Sequence, residues 1–327
     1  MKSSILREIN FTLPVIFICF FIGVFSLFSA ALTAETVEFA DENLKEAVLE
    51  NLDMKEGPIT VEKAGEVEQI TAVEKGISDL RGLEKFTGLK KLNLYDNELD
   101  DLSPISGLDN LQELIFEHNY VEDITAVAEL KKLKVFNFRY NDIADLSPLA
   151  DLSDLEVIRL WGNKVREVDA LENLNSLEIL TLSNNRVEDI SGLQGAKNLR
   201  KLHLSRNNIS DISPLGQLNN LEILYLLENN IDDISALAEL NNLQELNIAA
   251  NRVENIEIIS DLPALKTLYF RENLVQDITP IVENENITEL VSFRFNRVDL
   301  EEEEVIAQIE ELKERVETLR YSPQTVN

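Results

Sequence analysis

Cysteine is almost missing from this chain of 327 residues: Cys19 is the only one, and it lies inside an apolar run near the N-terminus. No disulfide framework is therefore expected to staple the rest, and no thiolate is available there for chemistry. Bulky Phe17 and Ile18 precede Cys19, where a lipid-modified cysteine follows small residues, so a lipoprotein anchor is not expected. Histidine is limited to His118 and His203, too few and too distant in sequence for a zinc pair at helical spacing. With 11 glycines, the chain has neither a Gly-x-Ser-x-Gly elbow nor a glycine loop for phosphate. Basic residues are outnumbered, 30 against 60 acidic, for a formal net charge of −30. That balance argues against nucleic acid and anionic membrane surfaces, which need a basic footprint. It favours a neutral or cationic partner. Neither a catalytic role nor a cofactor or metal is expected.

The longest uncharged stretch is confined to one end. Lys2 and Arg7 precede an apolar run from Phe11 to Leu32, followed by Thr33, Ala34 and Glu35. A basic start, an apolar stretch and small residues at its end read as an export signal over residues 1–34. The run is also long enough to span a bilayer, so an uncleaved anchor through residues 11–32 is the rival reading. In both readings the basic end stays inside and the remainder is exported.

What is abundant is a repeat. Asn97, Asn119, Asn141, Asn163, Asn185, Asn207, Asn229, Asn251 and Asn273 stand 22 residues apart without a slip. Apolar residues recur at offsets −8, −5, −3, +2, +5, +8 and +11 from each. A period of this length, carried by leucines around an asparagine, marks a leucine-rich-repeat solenoid in which each repeat is one turn of a coil. The Leu92-x-Leu94 segment alternates as a short strand with one buried face. Copies are expected to stack into a parallel concave sheet, with Phe116, Phe136 and Phe138 in its core. Each Asn follows a strand, where its amide offers both donor and acceptor to backbone groups that have lost ladder partners. The ladder is therefore read as structural.

A second column holds Ser103, Thr125, Ser147, Asp169, Ser191, Ser213, Ser235, Glu257 and Thr279. All but Glu257 suit a helix N-cap, and Pro104, Pro148, Pro214 and Pro280 follow at a position that tolerates a missing N–H. Short helical or 3₁₀ turns are expected on the convex side. Two residues before these caps runs an acidic column, Asp101, Asp123, Asp145, Glu167, Asp189, Asp211, Asp233, Asn255 and Asp277. Its carboxylates either accept local backbone N–H bonds or, stacked roughly 5 Å apart, attract calcium.

The ends depart from the period. Residues 35–66 read as a helical N-terminal cap: Asp41 caps a helix with Leu44, Val48 and Leu52, Gly57-Pro58 stops it, and Thr60 opens a second. The solenoid is assigned to residues 67–298. Within it Lys75 stands where the first Asn would, Asn284 replaces an apolar anchor and Asn296 arrives one residue late. Residues 299–327 read as a capping helix and tail. Val305, Ile309, Leu312, Val316 and Leu319 form one helical stripe, and Asp299 with Glu302 resembles a capping box. The stripe either closes the solenoid or serves as a coiled-coil seam.

The ladder also sorts what points out of the sheet. Offsets −6, −4, −2, −1 and +1 across nine repeats hold five of the six tyrosines, the only tryptophan and both histidines. Nine basic and eight acidic residues share these positions, near-neutral in an otherwise acidic chain. Trp, Tyr and Arg dominate interface hot spots. The candidate partner-binding residues are Tyr95, Ile115, Tyr120, Arg139, Tyr140, Arg159, Trp161, His203, Arg206, Tyr225, Leu227, Tyr269 and Arg271. Arg139 and Trp161 share a column in adjacent repeats, so a cation–π contact is expected there. Ile115 and Leu227 are expected as exposed apolar side chains without a core duty.

Segments such as Leu199-Arg-Lys-Leu-His-Leu-Ser-Arg-Asn207-Asn-Ile-Ser-Asp-Ile-Ser-Pro-Leu resemble the 22-residue repeats of bacterial internalins. Phe39-Ala-Asp-Glu-Asn-Leu, with Gly76-Ile-Ser-Asp-Leu80 further on, is similar to the helical cap of internalin-like exported proteins. The resemblance covers about residues 36–300. It implies a right-handed α/β solenoid, exported or on the cell surface, that binds an extracellular or envelope protein through its concave sheet. A glycan-binding surface module and an architectural envelope protein are the alternatives. The chain carries no Leu-Pro-x-Thr-Gly sorting motif, second transmembrane run or cell-wall repeats, so the resemblance does not extend to covalent wall attachment or host invasion.

Overall fold

The computed structural model describes residues 35–322. The expected signal or anchor at 1–34, with Cys19, lies outside the described residues, as do residues 323–327. Among the described residues no helix is long and apolar enough to cross a membrane.

Twelve three-residue strands form one parallel sheet in strict sequence order. They are β1 (Gln69–Thr71), β2 (Lys91–Asn93), β3 (Glu113–Ile115), β4 (Val135–Asn137), β5 (Val157–Arg159), β6 (Ile179–Thr181), β7 (Lys201–His203), β8 (Ile223–Tyr225), β9 (Glu245–Asn247), β10 (Thr267–Tyr269), β11 (Leu290–Ser292) and β12 (Thr318–Arg320). The register advances by one repeat per strand, so Leu92, Leu114, Phe136, Ile158, Leu180 and Leu202 lie side by side. All six are buried. Phe116 stacks on Phe138 at 5.0 Å between ring centroids, and Phe136 on Phe138 at 4.0 Å, which fills the core at those turns. Burying one apolar side chain per strand and more per turn makes each repeat depend on its neighbours rather than on its own core.

The ladder asparagines are buried, Asn185 only partly, and make one hydrogen-bond set per turn. Asn163 Oδ1 accepts from the Ile143 N–H of the preceding turn at 3.0 Å. Its Nδ2 donates to the Phe138 carbonyl of that turn at 2.8 Å and to its own Leu160 carbonyl at 3.1 Å. Asn296, one residue out of step, makes the same set to Val275, Phe270 and Phe293. Lys75 lacks the amide, but Asn97 Oδ1 accepts from both Lys75 and Ile77 N–H and serves the first turn from the second.

On the convex side each turn carries a 3₁₀ segment, such as Ser103–Ile105 and Ser147–Leu149. The hydroxyl column is displaced by one from its expected role. Ser103 and Ser147 are the first residues of these turns, and the cap positions are Leu102 and Leu146, which make no side-chain cap bond. The acids two residues earlier do the capping. Asp101, Asp123, Asp145, Asp189, Asp211, Asp233 and Asp277 each accept from the backbone N–H two residues on, at 2.8 Å, and Asn255 does so at 2.7 Å. These Asx-type bonds reach a turn too short for a normal N-cap geometry. They hold the Asp189 and Asp233 carboxyls below their ordinary pKa, and at Asp123 the Thr125 hydroxyl does so first and the backbone bond second. Among the described residues no group of three His, Cys, Asp or Glu converges to hold a metal ion.

Two helices cover the first turn of the solenoid. In α1 (Glu42–Asn51) Leu44, Ala47, Val48 and Leu49 are buried. Asp41 Oδ1 caps it through Asn43 and Leu44 N–H, while Oδ2 accepts from Ser78 N–H at 2.8 Å, tying helix to solenoid. Asn51 exchanges hydrogen bonds with both backbone groups of Thr71 and so closes the edge of β1. Thr60 caps α2 (Val61–Gly65). Helix α1 ends at Asn51, before the Gly57-Pro58 pair, because Asp53 already takes the left-handed conformation. A further helical turn, α3, spans Thr279–Glu283.

The other end differs from the single capping helix expected. Helix α4 spans Glu303–Arg315, and the stripe breaks after Leu312. Val316 is extended, and Leu319 lies in β12, paired with Val291 of β11. The open backbone edge of β11 is satisfied by a strand, which offers ladder bonds that a helix does not have. No capping box forms: Glu302 makes no side-chain cap bond, and Asp299 accepts locally from Glu301 N–H. Val305, Ile309 and Leu312 are buried, and Arg315 donates to the Ile281 and Val282 carbonyls, so α4 packs on the solenoid rather than presenting a seam.

Candidate concave-face binding site

At the end of each strand the backbone must leave the sheet and present the ladder Asn inward. The residue just before each Asn does this in the left-handed region: Asp96, His118, Tyr140, Gly162, Asn184, Arg206, Glu228, Ala250 and Glu272 all have φ between 52° and 71°. Non-glycine residues pay for this conformation, and here the return is a further inter-turn bond, such as Tyr140 N–H to the Trp161 carbonyl at 2.7 Å. Two candidate residues, Tyr140 and Arg206, thus sit on a column fixed by backbone bonds between turns.

That column, with the position before it, aligns an aromatic ribbon across four turns. Tyr95 meets His118 edge-on at 5.6 Å between centroids, His118 stacks on Tyr140 at 4.3 Å, and Tyr140 lies 6.2 Å from Trp161. Tyr140 and Trp161 remain 42% and 40% exposed, large fractions for rings already in contact. The Tyr140 ring lies over Gly162, where a Cβ would stand 3.0 Å from Tyr140 Cδ1. His118 was not among the residues selected from sequence; its place beside Tyr140 in the left-handed column was the available signal. Arg139 does not lie over Trp161. Among the described residues the cation–ring contacts are Arg294 with Phe295 and Lys313 with Tyr321. Arg139 turns instead toward Glu117, 3.7 Å away.

The remaining candidates divide. His203 stacks on Tyr225 at 4.4 Å, and the Tyr225 hydroxyl donates to Glu245 at 2.6 Å. Burial first, then that bond to a carboxylate, pushes the Tyr225 phenol well above its ordinary pKa. Burial also lowers the His203 pKa, helped by the positive charges of Lys201 and Arg139, so His203 is neutral at neutral pH. Arg206 pairs with Glu228 at 3.2 Å and Arg271 with Glu272, so both are neutralised locally. Ile115 and Leu227 are half-buried between neighbouring side chains, not exposed. Tyr269 is half-buried next to Tyr225. Tyr120, 63% exposed, is turned away from the ribbon and lines a lateral hollow with Asp101, Asp123, Asp145 and Pro148.

Arg159 stands apart. It is half-buried in the middle of the sheet, and no carboxylate lies within ion-pair distance of it among the described residues. Burial and then repulsion from Arg139 lower its pKa, while Glu117 acts in the opposite sense.

Comparison with known proteins bears on the fold. The family model described as a leucine-rich repeat region matches residues 67–322. Among curated proteins, none matches the chain. An internalin of Listeria monocytogenes (InlF) superposes with a TM-score of 0.76 at 27% identity, over 88% of this chain and 91% of that one. Internalin C2 of the same organism gives 0.61 at 32% identity, over 64% of this chain and 96% of that one. A leucine-rich-repeat protein of Leptospira interrogans, at 21% identity and a TM-score of 0.63 over 82% and 81% of the chains, shares the fold. The chain belongs to the leucine-rich-repeat family, in its internalin-like form.

Proposed function

We propose that the protein is an exported, surface-associated interaction module that binds another protein through its concave face, centred on Trp161. The observation that carries this reading is the ribbon Tyr95–His118–Tyr140–Trp161: four rings in contact on adjacent turns, with its last two members still widely exposed. Rigid aromatic side chains supply contact area at little entropic cost, and anchors of this kind dominate protein interfaces. Neither histidine has a side-chain hydrogen-bond partner among the described residues; each is held in a ring stack. That favours binding over acid–base chemistry. Export rests on the apolar run of residues 11–32 and on the likeness to internalins. N-terminal sequencing of the protein recovered outside the cell would decide between cleavage near residue 34 and a retained anchor.

The full chain with Trp161, Tyr225 and Arg139 replaced by Ala should lose capture of its extracellular partner while its circular dichroism and thermal midpoint persist. Unchanged capture would sink the site. A glycan array run in parallel separates the rival reading: sugar binding that depends on the same rings, without protein capture, would replace this proposal.

A further inference from the structure

Beside the ribbon, the middle of the sheet holds polar groups that the chain itself leaves open. Asn137, Arg159 and Thr181 are register partners on β4, β5 and β6, so they stand in one row about 4.8 Å apart. Asn137 and Thr181 are 9% and 5% exposed, yet Asn137 Oδ1 and Thr181 Oγ1 have no hydrogen-bond partner. Arg139 Nε, one column over, is also buried and unpartnered. A buried polar atom without a partner costs free energy and calls for an explanation. Asn137 and Thr181 flank Arg159 on the strands either side of it, so the three unpartnered atoms gather around one guanidinium.

We propose that the concave-face partner inserts an acidic peptide segment here, its side-chain carboxylate seated between Arg139 and Arg159. This rests on the concave-face reading above and names the chemistry recognised. The two guanidiniums supply planar donor forks that match a carboxylate. Thr181 Oγ1 and Arg139 Nε add donors once the long side chains above them shift, a rotamer change common at interfaces. Asn137 Nδ2 is held by Glu117 Oε2 at 3.2 Å, which leaves Oδ1 as an acceptor. A carboxylate alone has nothing to give that acceptor; a peptide N–H beside the carboxylate does.

Charge selects the ligand further. Two guanidiniums against the Glu117 carboxylate leave a single positive charge, which suits a monoanion better than a phosphate dianion. His203 at the end of the row is uncharged at neutral pH, and the exposed Lys201 lies beyond it on β7. Arg186, Arg252 and Arg294 on this face also lack a carboxylate among the described residues, but the first two are exposed and Arg294 lies over Phe295; Arg159 is half-buried at the centre with no such partner, which favours a carboxylate from outside.

The test is a titration of the full chain with N-acetyl-glutamic acid N-methylamide, followed by NMR of the arginine Nε–H and threonine methyl signals. Saturable shifts at Arg139, Arg159 and Thr181 are expected, weakening as salt rises. The glutamine analogue should give none, and acetate, which has the carboxylate without the amide, should bind more weakly. Thr181→Val and Arg159→Gln should each weaken binding about tenfold or more. No shift at these residues, an equal response to the glutamine analogue, or tighter binding of glucuronate would overturn the proposal. Thr181→Val keeps shape and side-chain volume, so it remains informative if Arg159→Gln fails to fold. Partner capture separates the two readings. If Trp161→Ala abolishes capture and Thr181→Val and Arg159→Gln do not, the concave-face reading stands and the carboxylate site falls.

Discussion

Two columns run the length of the same sheet, four residues apart, and they follow opposite rules. Each ladder asparagine closes its hydrogen bonds inside the protein, with the same partners turn after turn. The column at the strand ends carries Asn93, Ile115, Asn137, Arg159, Thr181, His203, Tyr225, Asn247 and Tyr269 on successive turns, with no period. Two of these keep a buried oxygen without a partner, and Arg159 has no carboxylate. A position whose bonds close within the chain is filled by the one side chain that closes them, and so it becomes periodic. A position whose bonds stay open is shaped by something outside the chain, and its period disappears. Variation within a solenoid is therefore as informative as repetition.

The sharpest way to break the comparison is to open the closed column. Asn163→Ala strands the Ile143 N–H and takes one of two amide donors from each of the buried Phe138 and Leu160 carbonyls. We expect a loss of about 2–3 kcal/mol in urea unfolding. A loss no larger than that of a surface substitution would show that the ladder does not hold the turns together. Next in size is the end of the ladder, where Asp41 joins α1 to the first turn. Burial works to raise the Asp41 pKa, but four backbone N–H donors, from Ser78, Leu44, Asn43 and Asp79, outweigh it and the net shift is downward. Its contribution to stability is therefore complete above the ordinary value of 3.8 and is lost as pH falls through the lower folded value. Asp41→Ala should cost about 1–2 kcal/mol at neutral pH and flatten the acid limb of the thermal midpoint. An unchanged acid limb would remove Asp41 from that account.

The closed column was legible in the sequence because its chemistry is local and periodic. The Asn97 to Asn273 spacing placed the strands, the buried phenylalanines and the convex turns. The end of the chain was misread because Val305 to Leu319 satisfies a helical stripe over a stretch where the open edge of β11 demands a strand; tertiary pairing overrode local pattern at Val316 and Leu319. The open columns were legible only as a face. Offsets put Arg139 and Trp161 together, but which partner each side chain takes depends on neighbours one and two turns away: Glu117 draws Arg139, and Tyr140 takes Trp161. Ile115 and Leu227 were read as exposed from their offset, although flanking side chains half-cover them. Asn137 and Thr181 offered no sequence signal, since an unpartnered oxygen exists only once everything around it is placed.

Gly162→Ala tests the left-handed column that lies between these two. Its φ of 71° is left-handed, and the added methyl would stand 3.0 Å from the Tyr140 ring. The backbone cost is about 1 kcal/mol, because Tyr140 and Asn184 already show that a side chain is tolerated in this column. The larger consequence is local: Tyr140 must move away from the only tryptophan. A change in Trp161 fluorescence together with weaker partner capture is expected. Unaltered fluorescence would mean that the ribbon is not held as a unit.

The smallest stability effect is predicted for the residue that best separates the columns. Thr181→Val removes a buried hydroxyl oxygen that has no partner and keeps the shape of the side chain. A truncation in the ladder destabilises because the partners it leaves behind are buried; here no partner is left behind. The free protein should be unchanged or more stable by up to about 1 kcal/mol. Affinity for the carboxylate probe should fall in the same variant. Opposite signs for stability and binding from one substitution are the signature of a group held open for a ligand. A loss of stability comparable to that of Asn163→Ala would instead place Thr181 with the closed column, its oxygen satisfied by a buried water.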